Sequence, residues 1–300
     1  MYNLPKIYIS PVNKLILKAI RLFDPSHEKV GYIVSQRQHT NSGGYVNQEI
    51  IDSVFNQKYT LERDHFCMKG FDESTIAYDA SKFDIIHVDP WYFKEYNIKE
   101  TKMWLRSFVD YYPDIRFEFG TEDFIKELTT QEYIESLEYL SEYLDNFIYL
   151  VCQGGSVVFD LKNISPIDVT KTKSFIDLSR SMGMKIKRHN CDFHTDEELT
   201  LLKDLGVEAY NYAPEFTYIS NKVIARQLSN EERTIVNNEI INIAPWNRWL
   251  TNLDNQDKNL FACLHYVEYL PEIQKYLDVS ENEIVESLLD RLQKIWNIIH

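Results

Sequence analysis

Short apolar runs give way to helical spacing repeatedly along the 300 residues of this chain. Lys6 to Ser10 reads as an extended run, and Asn13 to Phe23 follows with Leu15, Ile16, Ala19, Ile20 and Phe23 at helical intervals. The same succession begins again at Gly31 to Ser35, with a helical pattern over Val46 to Phe55. Further strand candidates are Tyr59 to Glu62, Phe83 to Val88, Arg116 to Phe119, Phe147 to Cys152, Lys185 to Arg188 and Val207 to Tyr212. Thr130 to Leu144 is amphipathic through Ile134, Leu137, Leu140 and Leu144. Thr195 and Glu198 form a capping box that opens a helix with Leu199, Leu202 and Leu205 on one face, and Gly206 closes it. The eight strand candidates, near 6, 31, 59, 84, 115, 147, 184 and 207, have the count and order of a TIM (β/α)8 barrel.

Beyond the last strand the pattern is helical. Val223 to Ile241 contains a capping box at Ser229 and Glu232, and Ser280 with Glu283 opens a final helix through Ile284, Leu288, Leu292 and Ile295. Pro245, Trp246, Asn247 and Trp249 interrupt the region between them. The expected architecture is an α/β barrel over 1–225 and a C-terminal helical extension over 226–300. That extension packs on the barrel, closing its bottom or meeting a partner subunit. No Pro-, Gly- or Ser-rich linker marks a second domain.

Composition narrows the partners. Lys and Arg total 32 against 46 Asp and Glu, a formal charge of −14 with no basic block, which argues against nucleic acid and anionic membrane. Cys67, Cys152, Cys191 and Cys263 show no CxxC spacing and read as reduced thiols. The opening residues lack a cationic leader, and no apolar run is long enough to span a bilayer, so the expected location is cytoplasmic. The 20 tyrosines are spread through the chain and read as packing.

The strand ends hold the candidate chemistry, because parallel barrels collect functional groups at their carboxyl ends. Two histidines and a carboxylate from separate strands can hold a divalent cation, zinc or another, with one position left open; His65, Glu118 and His189 are the candidates. Asp64 is placed as the general acid or base, with Glu122 and Asp192 as further catalytic carboxylates. Arg37, Gln38, Asp89, Gln153, Asn190, Asn211 and Glu215 are the expected substrate contacts. Arg37, Arg63 and Arg188 could neutralise a phosphate, and Gly154, Gly155 and Ser156 offer close-approach amides or simply a tight turn. His87, ahead of Val88 on a buried strand, reads as a core histidine.

The runs SQRQHTNSGGY (35–45), LERDHF (61–66), IIHVDPW (85–91), FEFGTED (117–123), KRHNCDFHTDEEL (187–199) and YAPEFTYI (212–219) resemble, in order, the strand ends of the tagatose-bisphosphate aldolase non-catalytic subunit family. That family is related to the class II zinc-dependent ketose-bisphosphate aldolases, and the resemblance spans roughly residues 5 to 225. It implies a TIM barrel, a sugar-phosphate substrate, and association with a class II aldolase partner or a homo-oligomer. Asp64 and His65 match the Asp-His pair that supplies the proton-transfer acid and a zinc ligand in the catalytic relatives. Glu118 and His189 match the strand-five Glu and strand-seven His. The chain departs from that pattern at strand six, where Gln153, Gly154 and Gly155 stand in place of a histidine. It departs again after strand seven, where Asn190, Cys191 and Asp192 replace a Gly-Gly-Ser phosphate loop, and after strand eight, where Ala213, Pro214 and Glu215 replace an Asp-Thr-Asp-like end.

Three readings follow: a divalent-metal-dependent aldolase-type lyase acting on a phosphorylated ketose or dihydroxyacetone phosphate; a non-catalytic barrel that binds and stabilises a class II aldolase; and a phosphosugar isomerase or epimerase.

Overall fold

The computed structural model describes residues 4–35, 48–66, 73–91, 97–122, 125–155 and 157–300. Its strands are β1 (Ile7–Ile9), β2 (Val30–Ser35), β3 (Leu61–Phe66), β4 (Ile85–Val88), β5 (Arg116–Phe119), β6 (Phe147–Val151), β7 (Val158–Phe159), β8 (Lys162–Asn163), β9 (Lys185–Arg188) and β10 (Ala209–Tyr212). Eight of them close into a parallel barrel in the order β1-β10-β9-β6-β5-β4-β3-β2, as the repeated pattern predicts, while β7 and β8 form a separate antiparallel hairpin. Strands buried on both faces explain the nearly continuous apolar runs at Val30–Ser35 and Phe147–Val151.

Local chemistry sets the helix boundaries. The Asn13 side chain accepts from the N–H groups of Leu15 and Ile16, starting the helix Lys14–Phe23, which buries Ile16, Leu17, Ala19, Ile20 and Phe23. Thr129 and Thr195 each form a complete capping box, with Glu132 and Glu198, at the starts of Thr130–Tyr139 and Asp196–Leu205.

The structure differs from the pattern reading in four places. β3 continues through Arg63, Asp64 and His65 instead of stopping at Glu62. The run from Val223 to Ile241 is two helices, Pro214–Gln227 and Asn230–Ile243, because the Ser229 capping box starts a new helix inside it. The amphipathic run from Thr130 loosens into a 3-10 turn at Ser141–Asn146. Ser280 makes no capping bond, its backbone being already helical at φ −92° and ψ 0°.

The last helix, Glu281–Ile299, packs against Lys14–Phe23, Asp196–Leu205 and Pro214–Gln227. It fills the gap in the outer ring between the helices that follow β1 and β9. Phe23 meets Trp296 edge-on at 6.2 Å, and Lys294 pairs with Asp196 at 3.0 Å. The cleft at the amino end of the strands is lined by Leu4, Phe83, Ile85, Phe147 and Ile148 among others, with no described residue of 226–300. The extension does not line that cleft; its last helix packs on the flank of the barrel, and Trp249, Thr251 and Lys258 reach Asp160 beside the β7–β8 hairpin. Among the described residues no helix is long and apolar enough to cross a membrane.

Candidate metal centre at the carboxyl end of the barrel

Successive side chains of a strand point to opposite faces, so Asp64 and His65 cannot both face the barrel mouth from regular β3. A kink resolves this. His65 has φ +46°, and the pairing of β3 with β4 shifts register between Arg63 and Phe66. Left-handed backbone at a non-glycine residue costs of order 1–3 kcal/mol and collects at functional sites. Here it turns two adjacent ionisable groups toward His87 of β4 and His189 at the end of β9.

Asp64, His65, His87 and His189 each offer a ligand atom, all within 4.8 Å of one another. The imidazole centroids lie 4.9 Å (65 to 87), 6.0 Å (65 to 189) and 4.9 Å (87 to 189) apart. Every ring nitrogen among them faces an oxygen. His87 Nδ1 is 3.0 Å from Asp64 Oδ1 and its Nε2 is 3.1 Å from the Gly120 carbonyl. His189 Nδ1 is 2.9 Å from Glu122, and its Nε2 meets Glu118. His65 Nδ1 is 3.4 Å from Asp89 and its Nε2 is 3.4 Å from Glu122. His87 Nδ1 also accepts from the His65 backbone N–H at 3.2 Å, so His87 is satisfied as a neutral imidazole. His65 and His189 face carboxylates at both ring nitrogens, and a neutral imidazole has only one N–H, so these two call for extra positive charge, as protons or as a metal ion. Three imidazoles and a carboxylate suit a borderline divalent cation such as zinc, and carboxylates or carbonyls behind ligating histidines are the usual support.

The electrostatics run the same way. Burial opposes charge on His65 and on His189, but Asp64 and Glu122 raise the first well above the usual histidine value, and chiefly Glu118 carries the second to about 10. Against the same burial, His65 holds both Asp64 and Glu122 below the carboxylate range. Gly120, at φ +140°, has no room for a Cβ, which would lie 2.7 Å from the Tyr133 hydroxyl; this close fit fixes the carbonyl facing His87.

A second layer lies one inward-facing residue further down. Lys187, fully buried, bridges Glu62 and Glu118, at 2.7 Å from the latter, with Nζ 3.7 Å from the Tyr8 ring centroid. Burial and the Glu118 charge push Glu62 upward, whereas Lys187 and His189 overcome burial and hold Glu118 low. Glu118, expected as a metal ligand, groups with Glu62 and His189 and not with His65.

The remaining candidates are spread over several tasks. Asp89 accepts from the Trp91 N–H and the Thr121 hydroxyl and faces His65. Glu122 joins His65 to His189. Gln153 braces a loop, accepting from Leu128 N–H and donating to the Lys126 and Thr121 carbonyls. Asp192 accepts from the N–H groups of Ala213 and Glu215 at the start of Pro214–Gln227, and burial raises it to about 8. Glu215 accepts from Phe193 N–H and pairs with Arg291 at 2.7 Å. Asn190, at φ +53°, gives its carbonyl to Asn163, and Asn211 is buried at the end of β10. Arg37, Gln38, Cys67 and Ser156 lie outside the described residues.

The phosphate contacts expected of Arg63 and Arg188 are corrected. Arg63 forks onto Asp79 and stacks 4.0 Å from the Phe83 centroid, while Arg188 donates to the Gly154 carbonyl at 2.9 Å. Gly154 and Gly155 are small for protein neighbours: added Cβ atoms would lie 2.4 Å from Thr172 Oγ1 and 2.2 Å from the Pro166 carbonyl oxygen. His87, read as a core histidine, is fully buried with both ring nitrogens bonded within the protein, and it also stands beside Asp64, His65 and His189; Lys187, which the sequence reading did not single out, lies directly below them. Strand alternation was the available signal, since Ile85 and His87, like Lys187 and His189, share a face.

Neither a family model nor a curated protein matches the sequence. Solved structures do. A probable tagatose 6 phosphate kinase from Sinorhizobium meliloti is 16% identical with TM-score 0.70, over 95% of this chain and 87% of its own. The fructuronate-tagaturonate epimerase UxaE from Cohnella laeviribosi is 11% identical with TM-score 0.68, over 99% and 83%. A fructose-bisphosphate aldolase from Campylobacter jejuni is 14% identical with TM-score 0.60, over 99% and 90%. The likeness is one of fold. The resemblance drawn from the strand-end motifs is consistent with these neighbours.

Proposed function

We propose that this chain is a divalent-metal-dependent, aldolase-type lyase that makes or breaks a carbon–carbon bond beside the carbonyl of a phosphorylated ketose. The observation that carries the reading is the convergence of Asp64, His65, His87 and His189 at the carboxyl end of a closed parallel barrel. The three histidines would hold the ion. A divalent ion held there supplies Lewis acidity toward a substrate carbonyl. Asp64, its side chain 14% exposed, is the most accessible member of the cluster and moves the proton through its carboxylate. Glu122 and Asp89 orient His65, and Glu118 orients His189. Names of proteins with this fold, a fructose-bisphosphate aldolase among them, support a ketose substrate.

A second reading, epimerisation of a sugar without a phosphate, draws on one observation. Arg63 and Arg188 are both committed inside the protein, and the same proton transfer beside a carbonyl serves that outcome.

A screen of ketose phosphates, unphosphorylated ketoses, and aldehydes with dihydroxyacetone phosphate separates these readings, run with zinc or manganese and after chelation. The expected result is metal-dependent cleavage or condensation, and a loss of about 10²- to 10⁴-fold in kcat for Asp64→Asn. Turnover indifferent to both chelation and Asp64→Asn would contradict it. A chain inert alone but stabilising a class II aldolase would make it a non-catalytic partner.

A further inference from the structure

Below the histidine cluster the barrel interior holds a second, differently satisfied set of ligand-type groups. Glu62 precedes Asp64 by two residues on β3, and Lys187 precedes His189 by two on β9, so both lie one layer deeper on the same inward face. Glu62, Glu118 and His189 bring ligand atoms within 4.8 Å of one another, all buried. The Lys187 ammonium stands among them, touching Glu62 and Glu118. Below are Tyr8 and Tyr149, packed with Ile33, Ile85 and Ala209, and the ammonium lies 3.7 Å and 5.1 Å from the two tyrosine centroids. Glu62 Oε1 is fully buried and makes no hydrogen bond, so the pocket keeps an unused acceptor.

We propose that Lys187 occupies the place of a second cation: its ammonium fills the pocket of Glu62, Glu118 and His189, limits the centre to a single metal ion, and positions His189 through Glu118. Two buried carboxylates sharing one cavity must share a proton or hold a cation between them, and here the Lys187 ammonium contacts both. An ammonium is a compact point charge and, unlike a metal ion, is not lost to chelators. It also fixes which Glu118 oxygen is left for His189 Nε2, so that the other ring nitrogen faces the upper cluster. Lys187 is thus a positioning residue, and this role rests on the reading of the upper cluster as a metal site.

The test is the number of ions held by the full-length chain, measured by elemental analysis after equilibrium dialysis against zinc or manganese alone. The expected result is about one ion for the wild type, about two for Lys187→Ala, and about one for Lys187→Ala combined with Glu62→Gln. Lys187→Met is expected to weaken the upper site by about 10- to 100-fold, the usual effect of losing support behind a ligand. If Lys187→Ala folds only in the presence of metal, the count in that state applies. Lys187→Ala holding the same number of ions as the wild type overturns the proposal, as does a Lys187→Ala chain that metal fails to fold while the double variant folds without it. A wild type with no ion and a Lys187→Ala chain with one would instead remove the upper site and keep the lower.

Discussion

At Arg63 and Arg188, strand alternation decides the role. Each is adjacent to an inward-facing ionisable residue, Glu62 or Lys187, and so points into the layer between strand and helix, where it is buried at 1% and 0% exposure. Arg63 there neutralises Asp79, itself 1% exposed. Removing one member of a buried pair leaves a stranded charge, so Arg63→Ala is expected to lose about 3–5 kcal/mol in urea unfolding. Metal content should be unchanged in the fraction that remains folded; a stable variant with impaired substrate binding would return Arg63 to the mouth. The same alternation puts His87 on the face of Ile85 and His189 on the face of Lys187, both inward. It could not announce the left-handed kink at His65, because only the β3–β4 register shift lets Asp64 and His65 act together. Nor could residue type separate Glu118 as a ligand from Glu118 as the partner of Lys187.

Among the elements, the βα repeats were readable because burial of both strand faces gives short continuous apolar runs, while burial of one helix face imposes a period of about 3.6. The hairpin of β7 and β8, two residues per strand, is too short to show a period. The helices of the extension bury groups that the pattern reading did not single out. His265 is buried beside Asn221, whose Nδ2 is 3.2 Å from its Nδ1, and burial takes it down to about 3 from 6.5. A histidine held neutral by burial contributes stability that is complete above its unfolded value and lost as pH falls. Between pH 6.5 and about 3, stability should therefore decline by about 1.4 kcal/mol per pH unit from this group. Urea unfolding across that range checks it: His265→Gln should flatten the slope, and an unchanged slope would assign the acid sensitivity elsewhere.

For the whole molecule, the barrel brings residues from β3, β4 and β9 to one mouth, and the final helix closes the outer ring that supports them. Arg291 on that helix pairs with Glu215, which also accepts from Phe193 N–H in the loop that follows His189. The C-terminal segment is thereby tied to the rim of the site, a link visible only once the chain is folded. The fold could be counted from the sequence, whereas the grouping of His87 with Asp64, His65 and His189, and of Glu118 with Glu62, depends on contacts across the barrel. Chelator-stripped wild type, dialysed against zinc or manganese, should retain about one ion per chain, and His65→Ala, His87→Ala and His189→Ala should each lose it or bind it far more weakly. A wild type that stays metal-free at saturating concentrations, or histidine variants that hold the ion as tightly as the wild type, would contradict the account.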